Sequence, residues 1–521
     1  MRDRLVLSFV LNAHLPFVRE HEPGGADERH LFEHIYETYL PLLEVCDRLE
    51  EDHVPFRLAF SISPTLCHML KDELLKERYR EYMEHRIRFG EAELGRSPGE
   101  DLVRWFLRRM RERRTFYEER CGGDILGVFR EFQKKGRIEL LGSAATGAFL
   151  PFYSKQPEAV QAQFEIALSS HRTCFEKTPQ GFWLPELGWS PELDEYLRSY
   201  NLSYTIVNPH ALFAGTPRTM NGNFYPVKTP RGTLVLGRDF NVYRDFWHEE
   251  DGLVHDGGYL DIRRDTGYEI PFDHLCSYFK SSRGRCATGY TYWAKNGDPY
   301  NPLLAEQKAA AAAKLFLERR ITQLSAARDL IGGQCISLNA CNAGEFGFYW
   351  REGPAFLEAL FREAARNRQV QIMNPLEYLY AQDTSSYQTM MPEFSSWGVN
   401  GYAETWLDAS NDWIYRHIFR SLERMRELAD RFPENTGLKE RTLNQAAREI
   451  LLVQESYWPK MMSGGENVRY ARRQIENSLR NFTTIYESLG SNYISTEWLT
   501  SLEKRNNVFP DINYRVFRKK R

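Results

Sequence analysis

No run of about 20 apolar residues occurs in the 521-residue chain, so the sequence offers no membrane-spanning helix. The eight cysteines are scattered, with no C-x-x-C pair and no histidine cluster at zinc spacing. That pattern argues against a disulfide scaffold or a metal site and fits a reduced, cytoplasmic protein. Neither sign of charge is in excess: 68 Lys and Arg against 71 Asp and Glu leave a formal net charge of -3. Nucleic acid and anionic membranes both reward a basic surface, so neither is expected as a partner. The basic stretch Arg518 to Arg521 is short and reads as a solvated end. Gly-rich phosphate loops, internal repeats and low-complexity tracts are also missing, and no cofactor is implied. Met1-Arg2-Asp3-Arg4 followed by Leu5 to Leu11 imitates the start of a signal peptide. The apolar run is too short, however, and continues into Asn12-Ala13-His14-Leu15-Pro16 without a small-residue cleavage site, so it reads as a first buried strand.

What the chain does have is aromatic residues, 28 Tyr, 32 Phe and 11 Trp, and a regular alternation of short apolar runs with amphipathic stretches. Aromatic faces build cores, and they also stack on the C–H faces of sugars. The runs Leu5 to Leu11, Phe56 to Ile62, Ile138 to Leu141, Gly181 to Leu184, Tyr204 to Val207, Cys335 to Leu338 and Val370 to Ile372 read as strands. Helical patterns such as Leu31 to Glu50, Pro157 to Phe175 and Ala305 to Leu330 separate them. Alternation of this kind predicts an α/β fold with parallel strands, whose chemistry sits at the C-terminal strand ends. A charged helical insertion is expected at about 65–136, with most of its charges on a solvated face. A long loop excursion is expected at about 212–300. Beyond about residue 375 only helices are predicted, among them Asp412 to Arg431, Lys439 to Tyr457 and Glu466 to Gly490. The expected division is therefore 1–375 for the barrel domain and 376–521 for an all-helical C-terminal domain.

The sharpest segment is Gly181-Phe182-Trp183-Leu184-Pro185-Glu186-Leu187-Gly188-Trp189. Here a strand ends in a carboxylate among aromatics, the setting a retaining glycosidase nucleophile requires; a capping or ion-paired glutamate is the alternative. The segment resembles the nucleophile motif of glycoside hydrolase family 57, in the W-L-P-E form of its branching enzymes. Asn12-Ala13-His14-Leu15-Pro16 resembles the family's H-A-H-L-P motif, and Ser143 to Pro151 its second motif. Asn342-Ala343-Gly344-Glu345-Phe346-Gly347-Phe348-Tyr349-Trp350 resembles D-x-E-L-F-G-H-W-W. Ser396-Trp397-Gly398, Trp406-Leu407 and Tyr457-Trp458-Pro459 resemble later aromatic motifs. The resemblance implies an incomplete (β/α)7 barrel, a C-terminal helical domain, an α-glucan substrate or ligand and no metal. It assigns Glu186 as nucleophile and His14, Trp183, His210, Trp247, Trp350, Trp397, Trp406 and Trp458 to sugar binding.

Four positions depart from the family pattern, and so does the acid itself. Asn342 stands where the general acid/base aspartate is expected, and an amide cannot transfer the proton. Asn12 and Gly147 replace two histidines, Asn208 replaces an aspartate, and Gly344 replaces a glutamate. The expectation is an α-glucan-binding homologue of the branching enzymes with weak or lost catalysis, in which restoring the acid alone would recover little and restoring both imidazoles with it would do best. Two alternatives stand beside it. One is an active branching enzyme in which Glu345 supplies the acid; the other is a non-catalytic scaffold for a protein partner.

Overall fold

The computed structural model describes residues 4–19, 26–96, 99–279 and 284–519. The signal-like start Met1–Asp3 and the last two residues of the basic tail lie outside them. All seven predicted strands form: β1 (Leu5–Ala13), β2 (Leu58–Ile62), β3 (Ile138–Ser143), β4 (Gly181–Trp183), β5 (Tyr204–Val207), β8 (Ile336–Asn342) and β9 (Val370–Ile372). Every residue of β1, β2 and β3 is buried, as expected for a parallel sheet covered on both faces.

Two more strands, β6 (Val227–Lys228) and β7 (Leu234–Gly237), lie inside the stretch expected to be a loop excursion. β7 pairs in parallel with β5 over Tyr204–Val207, so that excursion is corrected: its first part adds a seventh parallel strand to the wall. The run Leu234-Val235-Leu236 is too short for its periodicity to stand out from the Gly-rich and Pro-rich surroundings. The strand order is β6-β7-β5-β4-β3-β2-β1-β8, with β9 on the first residues of β1. Seven parallel strands, β7 to β8, thus make up the curved wall.

Between β7 and β8 no ladder forms. The seam is held instead by the Asp239 N–H on the Leu338 carbonyl (2.7 Å) and by the Ser337 hydroxyl on the Asp239 carboxylate (2.5 Å). The barrel is therefore incomplete, and its interior is filled by Val6, Val10, Leu141, Trp183, Ile206, Leu236 and Leu338.

The insertion consists mainly of α1 (Glu73–Glu93) and α2 (Glu100–Thr115). Its outer charges pair in solvent, for example Arg111 with Glu91, but Arg86 and Arg113 are almost fully buried over Tyr82 and Tyr36. α3 (Pro157–Phe175) packs on the sheet, and α4 (Pro302–Ile331) is the longest helix among the described residues. The helix predicted over Leu31 to Glu50 is interrupted by a wide turn at Ile35–Tyr39. Pro41, just after that turn, has no N–H to continue the ladder. The C-terminal helices α5 (Trp413–Arg431), α6 (Gly437–Val453), α7 (Tyr457–Ser463) and α8 (Val468–Ser491) share one apolar core with α3. The helix predicted over Lys439 to Tyr457 therefore ends early, and Gln454–Ser456 bridge α6 and α7. Among the described residues, no helix is long and apolar enough to cross a membrane.

Candidate functional site

β4 delivers its chain to the C-terminal mouth of the barrel, and Pro185 turns it sharply. Glu186 follows with φ 59° and ψ 20°, in the left-handed region, where a residue with a side chain pays about 1–2 kcal/mol. The conformation is held by the Trp397 N–H on the Glu186 carbonyl (2.9 Å) and by the Leu187 N–H on the Leu184 carbonyl (2.9 Å). It turns the Glu186 side chain toward two donors from the C-terminal part of the chain. The Ser456 hydroxyl donates to Oε1 (2.9 Å), and the Trp397 indole N–H donates to Oε2. Among the described residues Glu186 makes no ion pair.

His14 follows β1 at the same mouth. Its Nδ1 meets the Ser63 hydroxyl (2.8 Å) and its Nε2 meets Glu455 Oε1 (3.0 Å). Burial on its own lowers the His14 pKa, but the charge and hydrogen bond of Glu455, with Glu186 adding to them, outweigh it and raise it. Burial on its own raises the Glu455 pKa, but His14 and the N–H groups of Gly147 and Tyr457 hold the carboxyl below its ordinary range. The Gly147 N–H donates to Glu455 Oε2 at 3.0 Å. A Cβ at 147 would lie 2.1 Å from Glu455 Oε1 and 2.4 Å from His14 Nε2. Glu455 thus fills the space that a histidine at 147 would need.

Asn342 ends β8 directly beside Asn12 of β1, and the Asn12 amide donates to Asn342 Oδ1 (3.2 Å). Glu345, one turn on, accepts from the Asn342 backbone N–H at 3.4 Å and from the Trp247 indole N–H at 3.1 Å. Burial raises the Glu345 pKa against the opposing charge of Arg238 and these hydrogen bonds.

In front of these residues opens a cleft of about 940 Å³ between the barrel mouth and the C-terminal helices, the size of a small-molecule site. Asn342, Glu345, Arg238, Trp397, Trp406, Tyr457 and Trp458 line it. Trp406 stacks on Phe149 with ring centroids 5.1 Å apart. Glu186 sits behind Trp397 in the wall, and Trp247 reaches the cleft through Glu345. The structure separates the remaining positions from it. Trp350 packs in the core with Phe246, Phe346 and Phe356. Trp183 fills the barrel interior, edge-on to Trp397 at 5.5 Å. Asn208 donates to the Ser396 carbonyl (2.5 Å), and the His210 ring bonds the Gly401 carbonyl (2.8 Å), so both brace the 396–401 loop. Gly344 faces His34: a Cβ there would lie 3.1 Å from its Nε2.

Glu455, Ser456 and Arg238 were not legible as site residues. The first two directly precede Tyr457-Trp458-Pro459 but fell within a predicted helix, and Arg238 follows the strand that periodicity missed. Among the described residues, no group of three or more His, Cys, Asp or Glu side chains could hold a metal ion.

A strained carboxylate and a paired histidine at parallel strand ends, under an aromatic cleft closed by helices, describe a glycosidase-like architecture. The sequence pattern of glycosyl hydrolase family 57 matches residues 8–393, and the chain belongs to that family. Residues 417–517 match a second pattern, described as 1,4-alpha-glucan branching enzyme, C-terminal. The chain is 26% identical to a 1,4-alpha-glucan branching enzyme of Thermococcus kodakarensis, over 96% of this chain and 77% of that protein. The solved structure of the alpha-amylase AmyC from Thermotoga maritima superposes with a TM-score of 0.92 at 30% identity, covering all of both chains. A family 57 branching enzyme from Pyrococcus horikoshii gives 0.89 at 25% identity, covering 100% of this chain and 97% of that one.

Proposed function

We propose that the protein binds α-glucan chains in the cleft between barrel and helices, and that its glycosyl-transfer chemistry is weak or lost. The observation that carries this reading is Asn342. Retaining transfer needs one carboxylate to attack the anomeric carbon while a second carboxyl protonates the departing oxygen. Glu186 occupies the first position, at the end of β4. At the end of β8, where the second belongs, an amide is hydrogen-bonded to Asn12 and cannot give up and recover a proton. Both Glu186 oxygens already accept hydrogen bonds, from Trp397 and Ser456. The half-buried Trp397 and Tyr457 supply ring faces for sugars, backed by the buried Trp406 and Trp458, and the relatives whose names specify α-glucan chemistry support the choice of ligand.

A second reading rests on Glu345. It lines the cleft, touches Asn342 and has a raised pKa, so it is the group that could still donate a proton.

Two measurements decide between them. Calorimetry should show maltooligosaccharides binding with micromolar to millimolar Kd, on the order of 4–8 kcal/mol; no heat at tens of millimolar sugar would favour a scaffold for a protein partner. An iodine-stain branching assay on amylose should show no activity above background for the wild type and little for Asn342→Asp. Branching by the wild type that is abolished by both Glu186→Gln and Glu345→Gln would establish the second reading.

A further inference from the structure

A second cavity, of about 230 Å³, lies beyond the cleft on the surface of α8. Val18, Trp458 and Tyr470 line both, so the two hollows meet across one aromatic partition. The Trp458 and Tyr470 rings stand at 70° with centroids 5.9 Å apart, and the Trp458 indole N–H is turned away to the Leu452 carbonyl (3.3 Å). Beyond this partition, α8 presents Gln474, Asn477 and Asn481 to the cavity, at i, i+3 and i+7. That spacing sets one helix face over a length of about 10 Å. Asn481 is fixed by its bond to Glu449 (3.0 Å). Gln474 and Asn477 make no side-chain hydrogen bond among the described residues.

We infer that this amide-lined hollow is a second subsite for the same ligand, holding the distal sugars of an α-1,4-glucan whose other end lies in the cleft; the inference rests on the glucan reading proposed above. A chain of neutral sugars offers hydroxyls that both donate and accept, and a side-chain amide matches them with both kinds of group at once. The aromatic partition offers ring faces where the chain crosses from one hollow to the other. Three arginines also line the hollow: Arg19 is already engaged by Asp72 and the Lys504 carbonyl, and Arg473 and Arg505 are exposed, with N–H groups from which sugar hydroxyls can accept.

The test is calorimetry on the full chain with maltotriose and maltoheptaose, comparing the wild type, the double variant Gln474→Ala/Asn477→Ala and the cleft variant Trp397→Ala. The wild type should bind maltoheptaose at least about tenfold more tightly than maltotriose, a gain of about 1.4 kcal/mol. The double variant should bind maltotriose unchanged but lose that gain to within about twofold. Trp397→Ala should weaken both sugars. A wild type with no length dependence, or a double variant that keeps it, overturns the second subsite and leaves the cleft reading intact. A wild type that binds neither sugar overturns the cleft reading, and this inference with it.

Discussion

At residue 147 the chain has no side chain, and the carboxylate of Glu455 sits where one would be. This bears on any attempt to rebuild the family's site. A histidine at 147 can enter only if the Glu455 and His14 side chains move apart, because even a Cβ would approach the Glu455 oxygen to 2.1 Å. Restoring both imidazoles together with the acid would therefore also break the Glu455–His14 contact. Gly147→His should destabilise the fold by several kcal/mol, the scale of an overpacked buried site. Adding Glu455→Ala should recover much of that loss, and denaturant unfolding of the two single variants and the double variant would show this as strong coupling.

The His14–Glu455 pair also makes stability depend on pH in a defined direction. The His14 pKa is raised, so its contribution is complete below its ordinary value near 6.5 and fades as pH rises through the raised value. The Glu455 pKa is lowered, so its contribution is present above its ordinary value near 4.5 and fades as pH falls through the lowered value. Removing one partner of a buried pair costs about 3–5 kcal/mol. The deficit of Glu455→Ala against wild type should be largest between those limits and shrink on both sides of them. A deficit that does not vary with pH would show that Glu455 acts through packing alone.

Among the strands, the entry end of the barrel carries its own titrating group. Glu139 on β3 accepts from the Tyr204 hydroxyl of β5 (2.5 Å) and from the Leu376 N–H (3.0 Å). Burial outweighs both hydrogen bonds and pushes its pKa up to about 7. A raised carboxyl pKa stabilises the fold when protonated, so this contribution is full at acid pH and is lost as pH rises from about 4.5 through 7. It amounts to roughly 3 kcal/mol at most. Glu139→Gln should flatten the pH dependence of unfolding across that window without altering sugar binding, since Glu139 lies at the opposite end of β3 from Ser143. A pH profile identical to that of the wild type would mean that Glu139 stays ionised.

For the molecule as a whole, the cleft exists only where the barrel and the C-terminal helices meet. Asn342 and Glu345 come from the barrel; Tyr457 and Trp458 come from the helices. A ligand bridging the two should stabilise them together. At maltoheptaose concentrations a hundredfold above Kd, the native state gains about 2.7 kcal/mol, and the thermal midpoint should rise by a few degrees in a single shifted transition. An unmoved midpoint at that saturation would count against binding in the native fold.

The alternating runs and helical patterns were enough to determine an α/β barrel with helices following it, because buried parallel strands and amphipathic helices are local periodicities that any reader of the chain can find. They gave seven of the nine strands, and they placed Glu186, His14 and Asn342 at strand ends. β6 and β7 stayed hidden, since two and four residues carry too little periodicity to be told from a loop. The resemblance assigned Trp350 and Trp183 to sugar binding, but both pack in the core, because a tryptophan suits either setting and only packing decides. The pairing of Glu455 with His14 across 441 positions was likewise a matter for the tertiary structure. No local pattern records that Gly147 leaves room for a carboxylate delivered by the break between α6 and α7. Contacts between distant segments depend on how whole elements are placed, and the chain fixes that placement only once it has folded.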